Sequence, residues 1–251
     1  DSLGYVIEED LATVLYLMMQ LEKPLLLEGN PGVGKTKVGY ILSEYLGYDL
    51  IRLQCYEGLD VNNAIYEWNY QKQLLAIKIH EKSDKSADEK EALIFGKDYL
   101  LQRPLLQAID SDKPKVLLID EIDQADEEFE AFLLEVLSDF QISIPELGTV
   151  KAINKPIVVL TSNRTRDLSD ALKRRCLYHW VDYPSMEKEI KIIKKHIPDI
   201  EQQLAMQIAD YVQRIRNLKL DKAPGIAETI DWARGIALLG GREEAIYKSL
   251  S

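Results

Sequence analysis

Cysteine and histidine are scarce in this sequence. Its 251 residues include two cysteines and three histidines. Cys55 and Cys176 lie far apart and in different sequence contexts, so they indicate neither a disulfide framework nor a metal-binding cluster. We interpret both as small residues of a hydrophobic core. The composition therefore favours a reduced, intracellular protein.

Long apolar runs are also missing. No run approaches the roughly 18 residues that a membrane-spanning helix needs. The first residues show no positively charged segment followed by an apolar one, which is the pattern of a secretory signal. We therefore expect no membrane span and a protein of the cytoplasm.

Positive charge is in short supply as well. Lysine and arginine number 31 against 42 aspartates and glutamates, which gives a net charge of -11. The best basic clusters lie at 173–175 and around 191–195. Because proteins that follow a nucleic-acid backbone normally present a basic face, the composition argues against a nucleic-acid partner.

The sequence does contain, up to residue 184, an alternation of short apolar strands and amphipathic helices. Strands that are apolar throughout are typical of parallel sheets covered by helices on both faces. We therefore expect an α/β domain over 1–184, and an all-helical domain over 185–251, where only helical spacing remains. The predicted strands are 24–28, 49–54, 116–119 and 157–162, and the predicted helices are 9–19, 36–46, 127–139, 186–197, 200–217 and 226–239.

A long insert, 56–103, interrupts the alternation. Its centre, 81–91, is hydrophilic and is predicted to be solvated, whereas its flanks are rich in aromatic and aliphatic residues and are predicted to be folded. Tyr66, Trp68 and Tyr70 form either the core of this insert or a partner-binding surface.

The segment 141–153 is a second interruption. It alternates apolar and polar residues on both sides of the sequence PELG, which predicts a β-hairpin. Such a hairpin is either a structural element or a surface that contacts a partner.

The most specific motif is GNPGVGKT at 29–36, which fits G-x-x-x-x-G-K-[ST] at every fixed position between a predicted strand and a predicted helix. Its glycines let backbone N–H groups turn towards phosphate oxygens, and the helix N-terminus adds its dipole. We expect Lys35 to reach the β- and γ-phosphates and Thr36 to offer a hydroxyl to Mg²⁺. The predicted nucleotide-binding residues are Gly29, Asn30, Pro31, Gly32, Val33, Gly34, Lys35, Thr36 and, from the next motif, Asp120.

The second motif, VLLIDEID at 116–123, is a buried strand that ends in two carboxylates. Ligands bind at the carboxyl ends of strands in doubly wound folds, so this pair is expected beside the phosphate loop. We expect Asp120 to hold Mg²⁺ and Glu121 to orient and deprotonate an attacking water. The pair favours hydrolysis of ATP, and the guanine-reading motif of GTPases is missing, since NKPI at 154–157 ends in Ile157 where an acid is needed.

Two polar features follow the strand 157–162, which we expect beside both motif strands. Asn163 ends this strand, where its neutral amide either orients the attacking water or begins a turn. Arg174 and Arg175 lie beyond the reach of their own site. In a ring they would face a neighbour's γ-phosphate, where an arginine is worth about 10³–10⁵ in rate. Arg175 is the first candidate for this role and Arg174 the second.

Taken in order, GNPGVGKT, VLLIDEID, TSN and ALKRRC, followed by a helical tail, resemble an AAA+ ATPase over nearly the whole chain. The resemblance implies a P-loop NTPase module with a five-stranded parallel sheet, a helical lid, ATP or ADP and Mg²⁺ as ligands, and a ring, usually of six subunits. It also implies that Asn163 is the sensor 1 residue, that Arg175 is the arginine finger, and that Tyr5, Val6 and Ile7 touch adenine.

The insert and the hairpin are similar to the additions of the MoxR branch, and RLQCYEGLD and PGIAETIDWA resemble CoxD-type MoxR ATPases. That resemblance implies a partner with a von Willebrand A domain and the remodelling or maturation of a client complex, such as metal-centre insertion in a CO dehydrogenase. In one respect the sequence departs from that resemblance. The lids of such proteins carry an arginine at the start of a late helix, where it contacts the γ-phosphate bound to the same subunit. Glu228 and Thr229 stand in that region, so either Arg234 takes over or the lid couples weakly to the γ-phosphate.

Two alternative functions share these ATPase motifs. The first is a nucleic-acid-directed, helicase-like motor, which the acidic composition and the absence of a basic stripe with aromatic residues disfavour. The second is an ATP-gated adaptor with little hydrolysis, which the presence of both Asp120 and Glu121 disfavours.

Overall fold

A computed structural model describes residues 5–80, 86, 89, 94–145, 147–218 and 222–239, so most of the predicted solvated run 81–91 lies outside the described residues. The strands are β1 (Leu25–Gly29), β2 (Asp49–Gln54), β3 (Tyr66–Trp68), β4 (Leu100–Gln102), β5 (Lys115–Asp120), β6 (Gln141–Ile144), β7 (Gly148–Lys151), β8 (Ile157–Ser162) and β9 (Leu177–Val181). The helices are α1 (Glu9–Leu21), α2 (Lys35–Leu46), α3 (Val61–Ile65), α4 (Tyr70–His80), α5 (Pro104–Ile109), α6 (Glu127–Asp139), α7 (Asp170–Arg175), α8 (Met186–His196), α9 (Gln202–Asn217) and α10 (Ile226–Leu238). Within these residues, no helix is both long enough and apolar enough to cross a membrane.

Five strands form one parallel sheet in the order β2-β5-β8-β1-β9. This confirms the predicted parallel sheet and the expected position of β8 between the two motif strands. Parallel strands present their carboxyl ends at the same edge. The phosphate loop, the acid pair and Asn163, which follow β1, β5 and β8, are therefore brought to one edge of the sheet.

The apolar pattern missed the fifth strand, β9. Its sequence LYHWV is only partly buried, because β9 lies at the sheet edge and pairs with β1 alone. An edge strand lacks the continuous apolar run of the inner strands. Gly29 permits the close approach of β9, since a Cβ atom at Gly29 would lie 2.0 Å from the carbonyl oxygen of Val181.

Alternate residues of the strands face opposite sides of the sheet. On one side, Leu26 and Ile119 pack into a core that α3, α5 and α6 complete. On the other side, Leu25 and Leu118 pack against α1 and α2. Helices on both faces explain why the inner strands are apolar throughout. The α/β class predicted from the sequence is therefore confirmed.

Polar side chains fix the starts of several helices. Asp126 caps α6 by accepting a hydrogen bond from the N–H of Phe129 at 2.8 Å. Ser169 and Ser185 cap α7 and α8 in the same way. At the other end of α2, Gly47 adopts the left-handed conformation of a C-cap, as its sequence position predicted. These caps satisfy backbone groups that the helix ends leave unpaired.

The insert contains a small sheet of its own, in which β3 and β4 pair antiparallel. Trp68 of β3 is buried, and its ring meets that of Phe95 edge-on with 5.3 Å between centroids. The ring of Tyr66 lies 6.0 Å from that of Trp68. The interpretation of Trp68 as insert core is therefore confirmed. Tyr70 is exposed, so its role in partner binding stays a prediction.

The predicted hairpin at 141–153 is also confirmed, because β6 and β7 pair antiparallel. Ile142 and Ile144 are buried in the core on the α6 side of the sheet. Ser143 lies on the outer face, where its hydroxyl is 3.2 Å from that of Thr149. One face of the hairpin is thus part of the fold, and contact of the other face with a partner stays a prediction.

Both cysteines lie in the core on this same side of the sheet, as predicted. Burial raises the pKa of the Cys55 and Cys176 thiols to about 12. Because the thiolate is the reactive form of cysteine, neither side chain is a nucleophile at neutral pH.

In the described residues after β9, the chain forms helices only, as predicted. The three helices α8, α9 and α10 share an apolar core of their own, which includes Ile193, Ile208 and Ile236. The placement of a domain boundary at residue 184 stays a prediction.

A buried ion pair joins these three helices. Glu189 of α8 is 0% exposed and Arg216 of α9 is 5% exposed. The guanidinium donates to both carboxylate oxygens at 2.8 Å, and the hydroxyl of Thr229 in α10 donates to the same carboxylate at 3.1 Å. Arg216 also lies over the ring of Tyr183, 4.5 Å from its centroid. A buried charge is tolerated only with a complete set of partners, so this pair fixes the relative positions of the helices.

We predict that Arg216→Ala destabilises the helical region strongly, because it leaves the Glu189 carboxylate buried without a counter-charge. The expected loss in free energy of unfolding is about 3–5 kcal/mol, measured by urea denaturation. Arg214→Ala is the matched control on the same helix. Its ion pair with Asp210 is exposed, so its removal should cost at most about 0.5 kcal/mol. Equal losses in the two variants would contradict a structural role for the buried pair.

Candidate active site

The phosphate loop connects β1 to α2 and is built on left-handed glycine residues. Gly32 and Gly34 have φ angles of 74° and 94°, which residues with a side chain rarely adopt. Gly34 is the N-cap of α2, so the unpaired N–H groups and the positive dipole end of that helix face the loop. This is the geometry that binds anions in phosphate loops.

Lys35 is held inside the loop by the loop's own carbonyl groups. Its ammonium group donates to the oxygen of Gly29 at 2.8 Å and to that of Asn30 at 2.7 Å. The residue is 5% exposed. Burial lowers the pKa of Lys35 from its usual 10.5 to about 8, although the carboxylates of Asp123 and Asp120 oppose this shift. The cavity therefore contains a positive charge that is easily lost at alkaline pH.

Asp120 ends β5 and connects four elements of the fold. Its Oδ1 accepts hydrogen bonds from the hydroxyl of Thr36 in α2 at 2.9 Å and from that of Thr161 in β8 at 2.6 Å. Its Oδ2 accepts two from Arg52 of β2, from Nε at 3.0 Å and from Nη2 at 2.5 Å. The residue is 2% exposed. The carboxylate is thus buried and fully hydrogen-bonded.

Glu121 follows in the left-handed conformation, with φ 56°. Its N–H donates to the hydroxyl of Thr161 at 2.9 Å, which helps to hold this uncommon backbone. Its carboxylate accepts from the side-chain amide of Gln54 at 3.1 Å, and the amide nitrogen of Asn163 lies 3.5 Å from its other oxygen. The structure therefore brings the predicted Glu121 and Asn163 together at the cavity.

Asp123 holds the loop that carries Asn163. It is 3% exposed and accepts from the N–H of Asn163 at 3.1 Å. Its other oxygen accepts from both the N–H and the hydroxyl of Thr165, at 2.9 Å and 2.7 Å. These bonds fix the backbone on both sides of Arg164, whose φ of 57° is also left-handed. Asp123, three residues after Asp120, is thus a positioning residue for Asn163.

A cavity of about 540 Å³ lies above the phosphate loop. One end is polar and includes Lys35, Thr36, Glu121 and Asn163. Helices α8 and α10 contribute further lining residues, several of them apolar. Besides Asn163, the lining residues from outside the loop and the acid pair are Tyr5, Val6, Lys37, Tyr40, Thr161, Lys188, Ile192, His196, Ile226, Ala227 and Ile230. Tyr5 and Val6 line the cavity and Ile7 is exposed, and the contact of this segment with adenine stays a prediction.

The helical region touches the phosphate loop through its backbone. The N–H of Ile226 donates to the carbonyl oxygen of Gly32 at 2.8 Å. A Cβ atom at Gly32 would lie 2.9 Å from Cα of Gly225, so glycine is required at this contact. The start of α10 is therefore joined directly to the nucleotide-binding loop.

The charge at this contact is negative. Oε2 of Glu228 lies 3.7 Å from the position that a Cβ atom of Gly32 would occupy. Arg234 is half-exposed and pairs with Asp231 at 3.8 Å, and it is not among the described residues that line the cavity. The cation that α8 brings to the cavity is Lys188, which is paired with Glu8 at 2.9 Å.

The two adjacent arginines of α7 differ in their surroundings. Arg175 donates from Nε to the hydroxyl of Ser138 in α6 at 2.7 Å and from Nη1 to the carbonyl of Ala171 at 3.4 Å. Arg174 is exposed, and within the described residues its guanidinium has no hydrogen-bond or ion-pair partner. Neither side chain lines the cavity of its own chain.

The oxygen atoms near the loop fit a magnesium ion. Mg²⁺ prefers hard oxygen ligands and keeps several waters, with one or two carboxylates and substrate phosphates completing its shell. Thr36 lines the cavity, and its hydroxyl oxygen lies 2.9 Å from Oδ1 of Asp120, which is buried and does not itself line the cavity. When bound there, Mg²⁺ would neutralise phosphate charge.

The motifs did not identify Arg52 and Gln54, which contact the acid pair from β2. Their signal in the sequence is the alternation of DLIRLQ, which puts two polar side chains on the same face near the carboxyl end of a strand. In the pairing of β2 with β5, Gln54 lies opposite Asp120. The partners of these two polar side chains depend on strand order, which the sequence pattern does not specify.

Comparison with known proteins supports the architecture. An uncharacterized protein of Staphylococcus epidermidis is 27% identical over 208 residues, which cover 80% of this chain and 71% of the relative. One of Staphylococcus saprophyticus is 25% identical over 245 residues, which cover 93% and 85%. The Thermotoga maritima RuvB Holliday junction branch migration motor superposes with a TM-score of 0.57 at 17% identity, over 96% of this chain and 66% of that protein.

The likeness to RuvB shows a shared fold, and this chain spans about two thirds of that protein. A family model, the ATPase family associated with various cellular activities, matches residues 25–180. This match includes the phosphate loop, the acid pair, Asn163 and both arginines, and it extends over more than half of the sequence. The chain therefore belongs to the AAA family of ATPases.

Proposed function

We propose that the protein is a Mg²⁺-dependent ATP hydrolase that works as a ring and remodels a client protein complex. The observation that supports hydrolysis best is the arrangement at the polar end of the cavity. There Glu121 and Asn163 lie together beside Lys35 and the Thr36–Asp120 pair. A general base, a neutral orienting amide and a phosphate-binding loop are the parts that hydrolysis of a phosphoanhydride requires.

Each residue has a role in this proposal. The loop amides and Lys35 bind the phosphates of ATP or ADP, and Thr36 and Asp120 hold Mg²⁺. Glu121 accepts the proton of the attacking water, and Asn163 orients that water without adding charge. Since Asp123 accepts a hydrogen bond from the backbone N–H of Asn163, the backbone that carries this side chain is positioned before substrate binds.

The site is completed by a neighbouring subunit in our proposal, because neither Arg174 nor Arg175 lines the cavity of its own chain. Arg175 is the first candidate for the arginine finger. Its guanidinium is bonded to Ser138 and would have to leave that contact to reach a neighbour's phosphate. Arg174 needs no such release, and it remains the second candidate.

The finer assignment extends the resemblance to MoxR ATPases of the CoxD type. We propose a six-membered ring in the cytoplasm that acts as a chaperone-like ATPase with a von Willebrand A domain protein as adaptor. The insert with its own small sheet and the hairpin at 141–153 support this assignment. The net charge of -11 favours a protein client over a nucleic acid.

We predict that Glu121→Gln retains nucleotide affinity and loses hydrolysis by about 10²–10⁴-fold, because an amide cannot accept the proton of water. Binding is measured with a fluorescent ATP analogue, and turnover by phosphate release. Glu135→Gln is the control, since it makes the same chemical change on an exposed side of α6. Normal turnover by a Glu121→Gln protein that binds ATP would remove Glu121 from this role.

We predict that affinity for ADP weakens as pH rises above about 8, because Lys35 then loses its charge in the free protein. Since binding must restore that proton, the dissociation constant should rise by up to about tenfold per pH unit above this pKa. The measurement is a fluorescence titration at about pH 7 and about pH 9.5. Lys35→Met should abolish the pH dependence and Lys37→Met should keep it. A flat profile in the wild type would contradict the assignment of Lys35.

We predict that ATPase activity per subunit rises with protein concentration and that Arg175→Ala removes this activity, by about 10³-fold or more if it is the finger. The sharper test mixes two inactive variants. Lys35→Ala lacks a phosphate site but can donate its arginine, and Arg175→Ala keeps the site but lacks the arginine.

Recovery of activity in that mixture would show that the arginine acts between subunits. Mixing Lys35→Ala with Arg174→Ala in the same way identifies which arginine is used. Lys173→Ala on the same helix is the control. Concentration-independent activity that both arginine variants retain would contradict the ring proposal.

Two measurements separate this function from its two alternatives. DNA-stimulated hydrolysis that falls steeply with salt would favour a nucleic-acid motor, such as the RuvB Holliday junction branch migration motor. Tight ATP binding with no turnover at any concentration would favour an ATP-gated adaptor.

A further inference from the structure

Arg52 occupies an unusual position beside the proposed magnesium aspartate. It lies on β2, and its guanidinium donates from Nε and Nη2 to the same oxygen of Asp120, at 3.0 Å and 2.5 Å. The same Nη2 also contacts the side-chain oxygen of Gln54, and the hydroxyl of Tyr40 is a further hydrogen-bond partner. The guanidinium is therefore anchored on the carboxylate of Asp120, one of the groups that fit Mg²⁺, although Arg52 itself does not line the cavity.

The Asp120 carboxylate has no free position for another cation. An ionised carboxylate offers about four lone-pair sites, and here it accepts four hydrogen bonds. Two of them come from neutral hydroxyl groups and two from the guanidinium of Arg52. Any cation that approaches Asp120 must therefore displace one of these donors.

The structure indicates which donor gives way. Thr161 is 1% exposed, and its hydroxyl also accepts the N–H of Glu121, so it is fixed within the sheet. Thr36 can rotate its hydroxyl hydrogen away and present its oxygen to the metal. The side chain of Arg52 is 42% exposed, so it has a route to solvent. A guanidinium is also repelled by a divalent cation at the same carboxylate.

We propose that Arg52 is the counter-cation of Asp120 in the metal-free protein, and that Mg²⁺ and Arg52 compete for this carboxylate. In this arrangement Arg52 keeps a buried negative charge paired until the metal arrives with nucleotide. Its presence also raises the Mg²⁺ concentration that the site requires. Arg52 is thus a residue that sets metal affinity, and this inference rests on the proposed ATPase function.

The test is the variant Arg52→Gln, which removes the charge and keeps a polar side chain. Binding of a fluorescent ADP analogue is titrated with MgCl₂ from a metal-free state. The Mg²⁺ concentration at half-saturation should fall by at least about fivefold, the lower end of typical coupling between two binding events. Arg103→Gln is the control, because it breaks an exposed ion pair with Glu67 in the insert. It should leave the Mg²⁺ dependence unchanged.

Thermal melting provides a second readout that does not depend on activity. In EDTA, Arg52→Gln should melt several degrees below the wild type, because Asp120 loses its partner. With saturating Mg²⁺ and ADP the two melting temperatures should converge, since the metal replaces the lost charge. A purely structural role for Arg52 would leave the difference unchanged. Arg52→Lys keeps the positive charge but loses the paired donors of the guanidinium, so its melting temperature in EDTA should lie between those of the wild type and Arg52→Gln. It tests the proposed competition if Arg52→Gln does not fold.

The outcomes separate this inference from the function on which it rests. If the wild type binds neither ADP nor ATP with Mg²⁺, the proposed function fails and this inference fails with it. If the wild type binds nucleotide but Arg52→Gln needs as much Mg²⁺ or more, the competition is wrong and the proposed function stands.

Discussion

The buried carboxylate of Asp120 is the point on which the active site depends. It ends β5 and receives hydrogen bonds from α2, β8 and β2, so one side chain joins the phosphate loop helix to three strands. A charge that is 2% exposed is stable only when these partners are all present. The same carboxylate is the proposed magnesium ligand, which means that structural and catalytic requirements meet at one residue. Its neighbour Glu121 accepts from the side-chain amides of Gln54 and Asn163, and its proposed role is to act on water.

Strand order explains why four distant segments of the chain form one site. β8 separates β5 from β1, so Asn163 at its end lies between the acid pair and the phosphate loop. Asp123 then fixes the backbone of Asn163, and Thr161 fixes that of Glu121. The backbones that carry Glu121 and Asn163 are therefore each held by a side chain from another strand or turn. Preorganisation of this kind lowers the cost of orienting groups during reaction.

The sequence predicted the α/β class, four of the five sheet strands and the hairpin. Buried strands leave short apolar runs, and a hairpin leaves two segments of alternating apolar and polar residues on either side of a turn. It also named the phosphate loop, whose spacing follows from phosphate chemistry, and the acid pair and Asn163, which lie at the ends of buried strands. It missed β9, an edge strand with a mixed pattern, and it missed Arg52 and Gln54. The roles of those two residues arise from the pairing of β2 with β5 across more than 60 positions of the chain. Local patterns contain no information about such long-range partners.

The contact between α10 and the phosphate loop has a consequence for how the helical region responds to nucleotide. It is made by the backbone of Ile226 and Gly32, with the carboxylate of Glu228 close by. A carboxylate cannot neutralise phosphate, so within the described residues this contact supplies no counter-charge for a third phosphate group. In the proposed mechanism that charge is met by Lys35, by Mg²⁺ and by a neighbour's arginine, because Lys188, the lysine that α8 brings to the cavity, is already paired with Glu8. Discrimination between ATP and ADP would then depend on the subunit interface more than on the helices above the nucleotide.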